Sequence, residues 1–231
     1  MSIELTYAEV EAVLAGLHHI ADDKRVAFKA RLKHFQRLKF PDGSNTGTGK
    51  RVVYTIDMFV KLAFAIELTQ IGMSPKRIVH ILRLNWELCA GSIPLAITPR
   101  AHFDKWQPPI SHNNYVWMLS PESLRDLAEG GEDDLDYYGL LTVIPMADLE
   151  HNLLVGDVGV EGWERDMGAD YRQTIIVLRP FLFSLVGLLM EVRPDISIVD
   201  IWRDTYESLS DPVRNGLDRK LVIGGNNGIN P

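Results

Sequence analysis

Residues 23–55, DKRVAFKARLKHFQRLKFPDGSNTGTGKRVVYT, decide how the first third of this chain is read. The segment predicts a helix over residues 22–39, opened by Asp22 or Asp23 and stopped by Pro41. Each helical residue advances about 100°, so Arg25, Lys29, Lys33 and Arg37, four residues apart, form one basic stripe. Phe28, Phe35 and Leu38 fall on the opposite side, with Leu32 at the border and Arg31 among the apolar positions. Residues 42–50, DGSNTGTGK, have loop composition, and RVVYT at 51–55 reads as a short strand.

A helix with one apolar face docks on a small core and leaves its cations free. Its diameter of about 10–12 Å fits the B-DNA major groove, where Lys and Arg reach guanine edges and phosphates. A glycine-rich loop that ends in Lys50-Arg51 and leads into a strand has the character of a wing, able to follow the phosphate backbone or enter the minor groove. The candidate DNA-contacting residues are therefore Arg25, Lys29, Lys33, His34 and Arg37 on the helix, and Asn45, Lys50, Arg51 and Tyr54 on the wing and its exit strand. His34 stands at the edge of the two faces, and Tyr54 is placed equally well to close a small core.

The net charge of −7 argues against nucleic acid, but the charge is unevenly spread. Residues 1–90 hold 13 basic and 9 acidic residues; residues 91–231 hold 11 and 22. Nine basic residues and one acid, Asp42, lie between Lys24 and Arg51. Such a local island makes phosphate contacts whatever the charge of the whole chain.

Outward from this segment, residues 5–17 predict a helix capped by Thr6, with Glu9 completing a capping box. Residues 56–69 predict a helix closed by Gly72, and Ser74-Pro75 opens another that runs to about Leu84. Four prolines between 90 and 113 and no periodicity suggest a linker over 89–113. Strands are expected at 114–119, 137–146 and 173–178, and helices at 120–128, 180–191 and 197–208, with an acidic turn at 129–136. The expected architecture is α+β: a winged helix-turn-helix domain over 1–88, an acidic α+β domain over 114–210, and a disordered tail over 211–231.

Gly49-Lys50-Arg51-Val52-Val53-Tyr54-Thr55 is similar to the wing exit of the MerR family of regulators, a glycine followed by Tyr-Arg-any-Tyr-Ser. The turn Ile71-Gly72-Met73-Ser74 resembles that family's Leu-Gly-Phe-Ser. Arg31-Leu32-Lys33-His34-Phe35-Gln36-Arg37-Leu38 stands where the family has Thr-Ile-Arg-Tyr-Tyr-Glu-Arg-Ile. The resemblance covers residues 5–85. It implies a transcription regulator that binds double-stranded DNA, with the residue similar to Arg51 holding phosphate. The family's long dimerisation helix has no counterpart after residue 90, so homodimer formation is expected through 114–208, above all Ile175 to Leu178 and Phe181 to Met190.

The remaining residues point to no other chemistry. The single cysteine, Cys89, allows no disulfide framework within one chain, and the seven histidines lack zinc-ligand spacing. Neither a phosphate loop nor a nucleophile triad is marked, so no enzyme and no cofactor are expected. The apolar run at 174–192 contains Arg179 and Pro180, which suits a buried element better than a membrane span. The start of the chain lacks the basic and apolar pattern of a signal peptide, and a bacterial cytoplasm is the expected setting. RNA polymerase or another regulator is a further expected partner. Two rival readings are a degenerate winged helix that binds protein and an excisionase-like architectural DNA binder; four aligned cations argue against the first, and the large second half against the second.

Overall fold

Thr6 and Thr55 each end a three-residue strand and cap the helix that follows. Strand β1 (Glu4–Thr6) pairs antiparallel with β2 (Val53–Thr55), setting Leu5 opposite Tyr54, both buried. Thr6 accepts from the Glu9 amide, while Glu9 accepts from the Thr6 amide at 2.6 Å, so the expected capping box opens α1 (Tyr7–Leu17). Thr55 accepts from the Met58 amide at 3.3 Å and opens α3 (Ile56–Gln70). One small ribbon thus sets the start of two helices.

The structure, a computed structural model, describes residues 2–44, 51–99, 114–119, 141–150 and 173–209. Among them it is a mixed α+β fold of seven helices and two small antiparallel sheets. A 3-10 turn (Asp22–Lys24) leads into α2 (Arg25–Arg37), and neither aspartate caps it through its side chain. Helices α1 and α2 end alike. The Ile20 amide reaches the Ala15 carbonyl and the Phe40 amide reaches Phe35, while His19 and Lys39 take left-handed φ values of 50° and 56°. This is the Schellman ending, with His and Lys where glycine is easier. Helix α4 (Pro75–Ala90) starts with Ser74 as cap and Pro75 in its first turn, as expected, and runs six residues beyond Leu84.

The expected linker is corrected over its first part. Helix α5 (Ser92–Ala96) follows α4 at once, and Ser92, Ile93, Pro94 and Ala96 are buried. Residues 100–113 lie outside the described residues, as do the expected helix at 120–128, the acidic turn, the start of the strand at 137–146, and the tail. Strands β3 (Tyr115–Leu119), β4 (Thr142–Pro145) and β5 (Thr174–Val177) form an antiparallel sheet in the order β4-β3-β5. Two helices follow, α6 (Leu178–Val192) and α7 (Ile198–Leu209). No helix of the described residues is long and apolar enough to cross a membrane.

Among the described residues the larger buried cluster draws on both halves, and a smaller one is formed by Val116, Met118 and Ile144 of β3 and β4. The larger cluster runs from Ile3 to Leu209. Trp117 of β3 stacks on Phe64 of α3 at 3.8 Å between centroids, with Trp86 of α4 edge-on and Phe181 of α6 tilted against Phe64. The Trp117 indole donates to Ser92 Oγ, which donates to the Cys89 carbonyl. Helix α6 lies along α1 so closely that a Cβ on Gly16 would stand 3.3 Å from Leu188. Asp204 of α7 accepts the Ile3 amide at 2.8 Å, and Arg193, which caps the end of α6, donates to the Glu4 carbonyl, so the C-terminal segment also holds the start of the chain at β1. Leu178, Leu182, Leu185, Val186 and Leu189 are buried within the chain. These side chains serve the chain's own core, while Phe183 and Met190 of the segment expected to dimerise stay exposed.

Because Trp117 joins both halves, Trp117→Ala is expected to cost about 3–5 kcal/mol and to lower the stability of the whole chain. Urea unfolding followed by circular dichroism and by fluorescence should give one coincident transition in wild type and variant. Two separate transitions would contradict a shared core.

Candidate nucleic-acid interface

Helix α2 is held by Phe28, Leu32 and Phe35, all buried. Its flank is fixed by Gln36, whose amide donates to the Tyr54 hydroxyl at 2.6 Å. This docking sets the rotation of the helix. The outward side is then Val26, Ala30, Lys33 and Arg37, all exposed and spaced i, i+4, i+7, i+11, within about 60° of arc. Ala27 and His34 are exposed beside it.

The expected stripe of Arg25, Lys29, Lys33 and Arg37 therefore divides. Lys33 and Arg37 reach outward and form no ion pair among the described residues. Arg25 and Lys29 turn toward α1. There Glu11, 8% exposed, takes Arg25 Nη1 at 3.0 Å and Lys29 Nζ at 3.9 Å. Arg25 is also 3.9 Å from Asp22, and Lys24 pairs with Asp23 at 2.8 Å. So the basic residues at the start of α2 anchor the helix, and those in its second half are uncommitted. His34 is exposed rather than at a buried edge, and Arg31, counted with the apolar side in sequence, is exposed too.

Tyr54 is a correction. Its side chain is fully buried opposite Leu5, and burial pushes its hydroxyl above the usual tyrosine range. It closes the core beneath α2 and presents nothing to a ligand. Tyr7 belongs to the same buried cluster. Burial, then the nearby Tyr54 and Glu11, push the Tyr7 hydroxyl up to about 12. Both tyrosines are therefore neutral at physiological pH. Arg51 is exposed just before β2; Asn45 and Lys50 lie outside the described residues. Arg83 of α4 donates to the Lys39 carbonyl and to Asp42, both at 2.8 Å, which ties α4 to the end of α2.

Sequence reading missed Val26, Ala27 and Ala30 as parts of this surface. The signal was present: with Phe28, Leu32 and Phe35 inward, residue 26 stands about 200° from residue 28. Charge spacing alone places the stripe one residue too early. Elsewhere, no three His, Cys, Asp or Glu residues gather to hold a metal among the described residues. Cys89 is buried, and burial raises its thiol well above the ordinary range, so it is unreactive. Compared with known proteins, the chain matches no family model, no curated protein and no solved structure.

The division of the cations has a measurable consequence. Arg25→Ala leaves the buried Glu11 short of its closest partner and is expected to cost about 1–3 kcal/mol of stability. Lys33→Ala and Arg37→Ala should change stability by no more than about 0.5 kcal/mol. Thermal and urea unfolding of the three variants check this; equal losses at all three positions would contradict the assignment.

Proposed function

We propose that the protein is a sequence-specific regulator that binds double-stranded DNA, with α2 in the major groove and the segment between α2 and β2 as its wing. The observation that carries this reading is the exposed stripe of α2, which ends in two uncommitted cations on a helix locked in place by its apolar side. Ala27 and Ala30 support it, because short side chains let a helix backbone come close to base edges. The element order β1, α1, α2, β2, α3, α4, with β1 paired to β2, supports a winged helix-turn-helix arrangement of the MerR-like kind. The net charge does not oppose it, since the acidic excess falls in residues 91–231.

From Val26 to Arg37 the stripe spans about 16 Å, room for roughly five base pairs. That is too little for useful specificity, so two copies act together on a palindromic or repeated site. The expected setting is the bacterial cytoplasm, on the nucleoid.

Titration of labelled B-form duplexes with the full chain at several salt concentrations tests the proposal. Binding should weaken as salt rises. The Lys33→Ala/Arg37→Ala double variant should flatten the slope of log affinity against log salt by about 0.9 for each phosphate it no longer touches, or bind more weakly by about 1–3 kcal/mol for each base it no longer reads. Duplex RNA, whose major groove is too narrow for a helix, should bind more weakly. Equal binding by wild type and double variant at every salt concentration would overturn the assignment of α2.

A further inference from the structure

Val26 is 81% exposed, the most exposed large apolar side chain among the described residues. It lies in the first turn of α2 and at one end of the outward stripe. Its stability role is poor: valine is a weaker helix former than alanine or leucine, and here it buries nothing within the chain. Around it stand Ala27 and Ala30, both exposed.

Three of the four cations nearby, all but Arg31, are paired. Lys24 is paired with Asp23, and Arg25 and Lys29 with Glu11. Asp22, fully exposed in its side chain, and Asp23 stand just before the helix and disfavour phosphate at that end. The first half of the stripe itself holds no cation, and the exposed Arg31, which forms no ion pair among the described residues, stands about 100° round the helix from Ala30. What this half offers is a small apolar surface that a groove floor can approach closely. In the second half the chemistry reverses, with Lys33 and Arg37 outward and His34 beside them.

We infer that the N-terminal half of α2 reads thymine by its 5-methyl group, with Val26 and Ala30 as the contacting side chains. The inference rests on the DNA-binding reading given above. In the major groove, thymine alone among the four bases presents a methyl, and it is recognised by apolar contact. Recognition helices of the helix-turn-helix type bring their N-terminal residues to the base edges, which is the end where Val26 stands. Lys33 lies seven residues further along, about 10 Å, so guanine or phosphate contacts fall about three base pairs from the thymine. The occupant of this apolar patch is the methyl edge of a duplex, because the patch is continuous with uncommitted cations that suit a polyanion.

The test starts from duplexes selected by the full-length protein from a random pool. In the best of them each thymidine is replaced in turn by deoxyuridine, which keeps base pairing and removes only the methyl. Affinities are measured by fluorescence anisotropy for the wild type, Val26→Ser and Lys33→Ala, with circular dichroism as the check of folding; the exposure of Val26 makes Val26→Ser a benign change for the fold. The wild type should lose about three- to fivefold in affinity at one or two positions, the share of one buried methyl. Val26→Ser should bind thymine and uracil duplexes alike at one of those positions at least, the one Val26 contacts, while Lys33→Ala should bind both more weakly and keep the difference. Uracil duplexes bound as tightly as thymine duplexes by the wild type would overturn the inference and leave DNA binding standing. So would methyl effects that persist undiminished at every position in Val26→Ser, or a Val26→Ser variant unchanged on every sequence. If no duplex is bound even at low salt, the DNA reading fails and takes this inference with it.

Discussion

Burial of Phe28, Leu32 and Phe35 sets the rotation of α2, and the rotation decides which side chains can meet a ligand. A turn of one residue, about 100°, would exchange Val26, Ala30, Lys33 and Arg37 for a different row. Three further contacts resist that slip. Gln36 donates to the buried hydroxyl of Tyr54, Glu11 holds Arg25, and Phe40 packs against Phe35 past the end of the helix. Each comes from a different element: β2, α1 and the chain after α2. The candidate interface is thus a consequence of the core, and the buried ion pair at Glu11 belongs to the core side of that boundary.

The core that fixes α2 is itself completed by distant parts of the chain. Helix α3 is buried along most of its length, and its Phe64 meets Trp117, Trp86 and Phe181 from three other elements. Arg193 donates to the Glu4 carbonyl of β1 and Asp204 accepts from the amide of Ile3 just before it, each across about two hundred residues. The apolar faces of α1 and α3 are therefore covered by α6 and α7 as well as by their near neighbours. The described residues from 114 onward serve the first third of the fold as a buttress. Asp57 shows the same economy on a smaller scale, accepting from the Trp86 indole and from Lys61, which also lies over the Trp86 ring at 5.0 Å.

Local chemistry was legible in the sequence where it was complete within a few residues. The Thr6–Glu9 box, the Ser74-Pro75 start and the three later strands all follow from short patterns. Strand β1 was not legible, because three residues become a strand only when Val53–Thr55 lies beside them. Helix α5 was hidden by Pro94, which sits in the first turn of a five-residue helix, where proline is tolerated. The core cluster shared between the two halves was hidden for a related reason. Composition changes after residue 90, but composition does not say which apolar faces meet, and α6 meets α1. On the candidate site, charge spacing alone placed Arg25 and Lys29 outward; only the position of Glu11 on α1 shows them committed. Tyr54 was ambiguous in sequence because a strand alternates its faces, and the register with Leu5 turns it inward.

The central claim is that duplex DNA covers the outward face of α2. Cys89 is buried, so a thiol introduced on the surface is the reactive one among the described residues. An Ala30→Cys variant, alkylated by a bulky maleimide with and without duplex DNA, measures that coverage directly, with Ser184→Cys, at an exposed position of α6, as the reference. Protection of residue 30 by DNA, with residue 184 alkylated at the same rate in both conditions, is the expected result. Equal alkylation of residue 30 with and without bound DNA would contradict the claim.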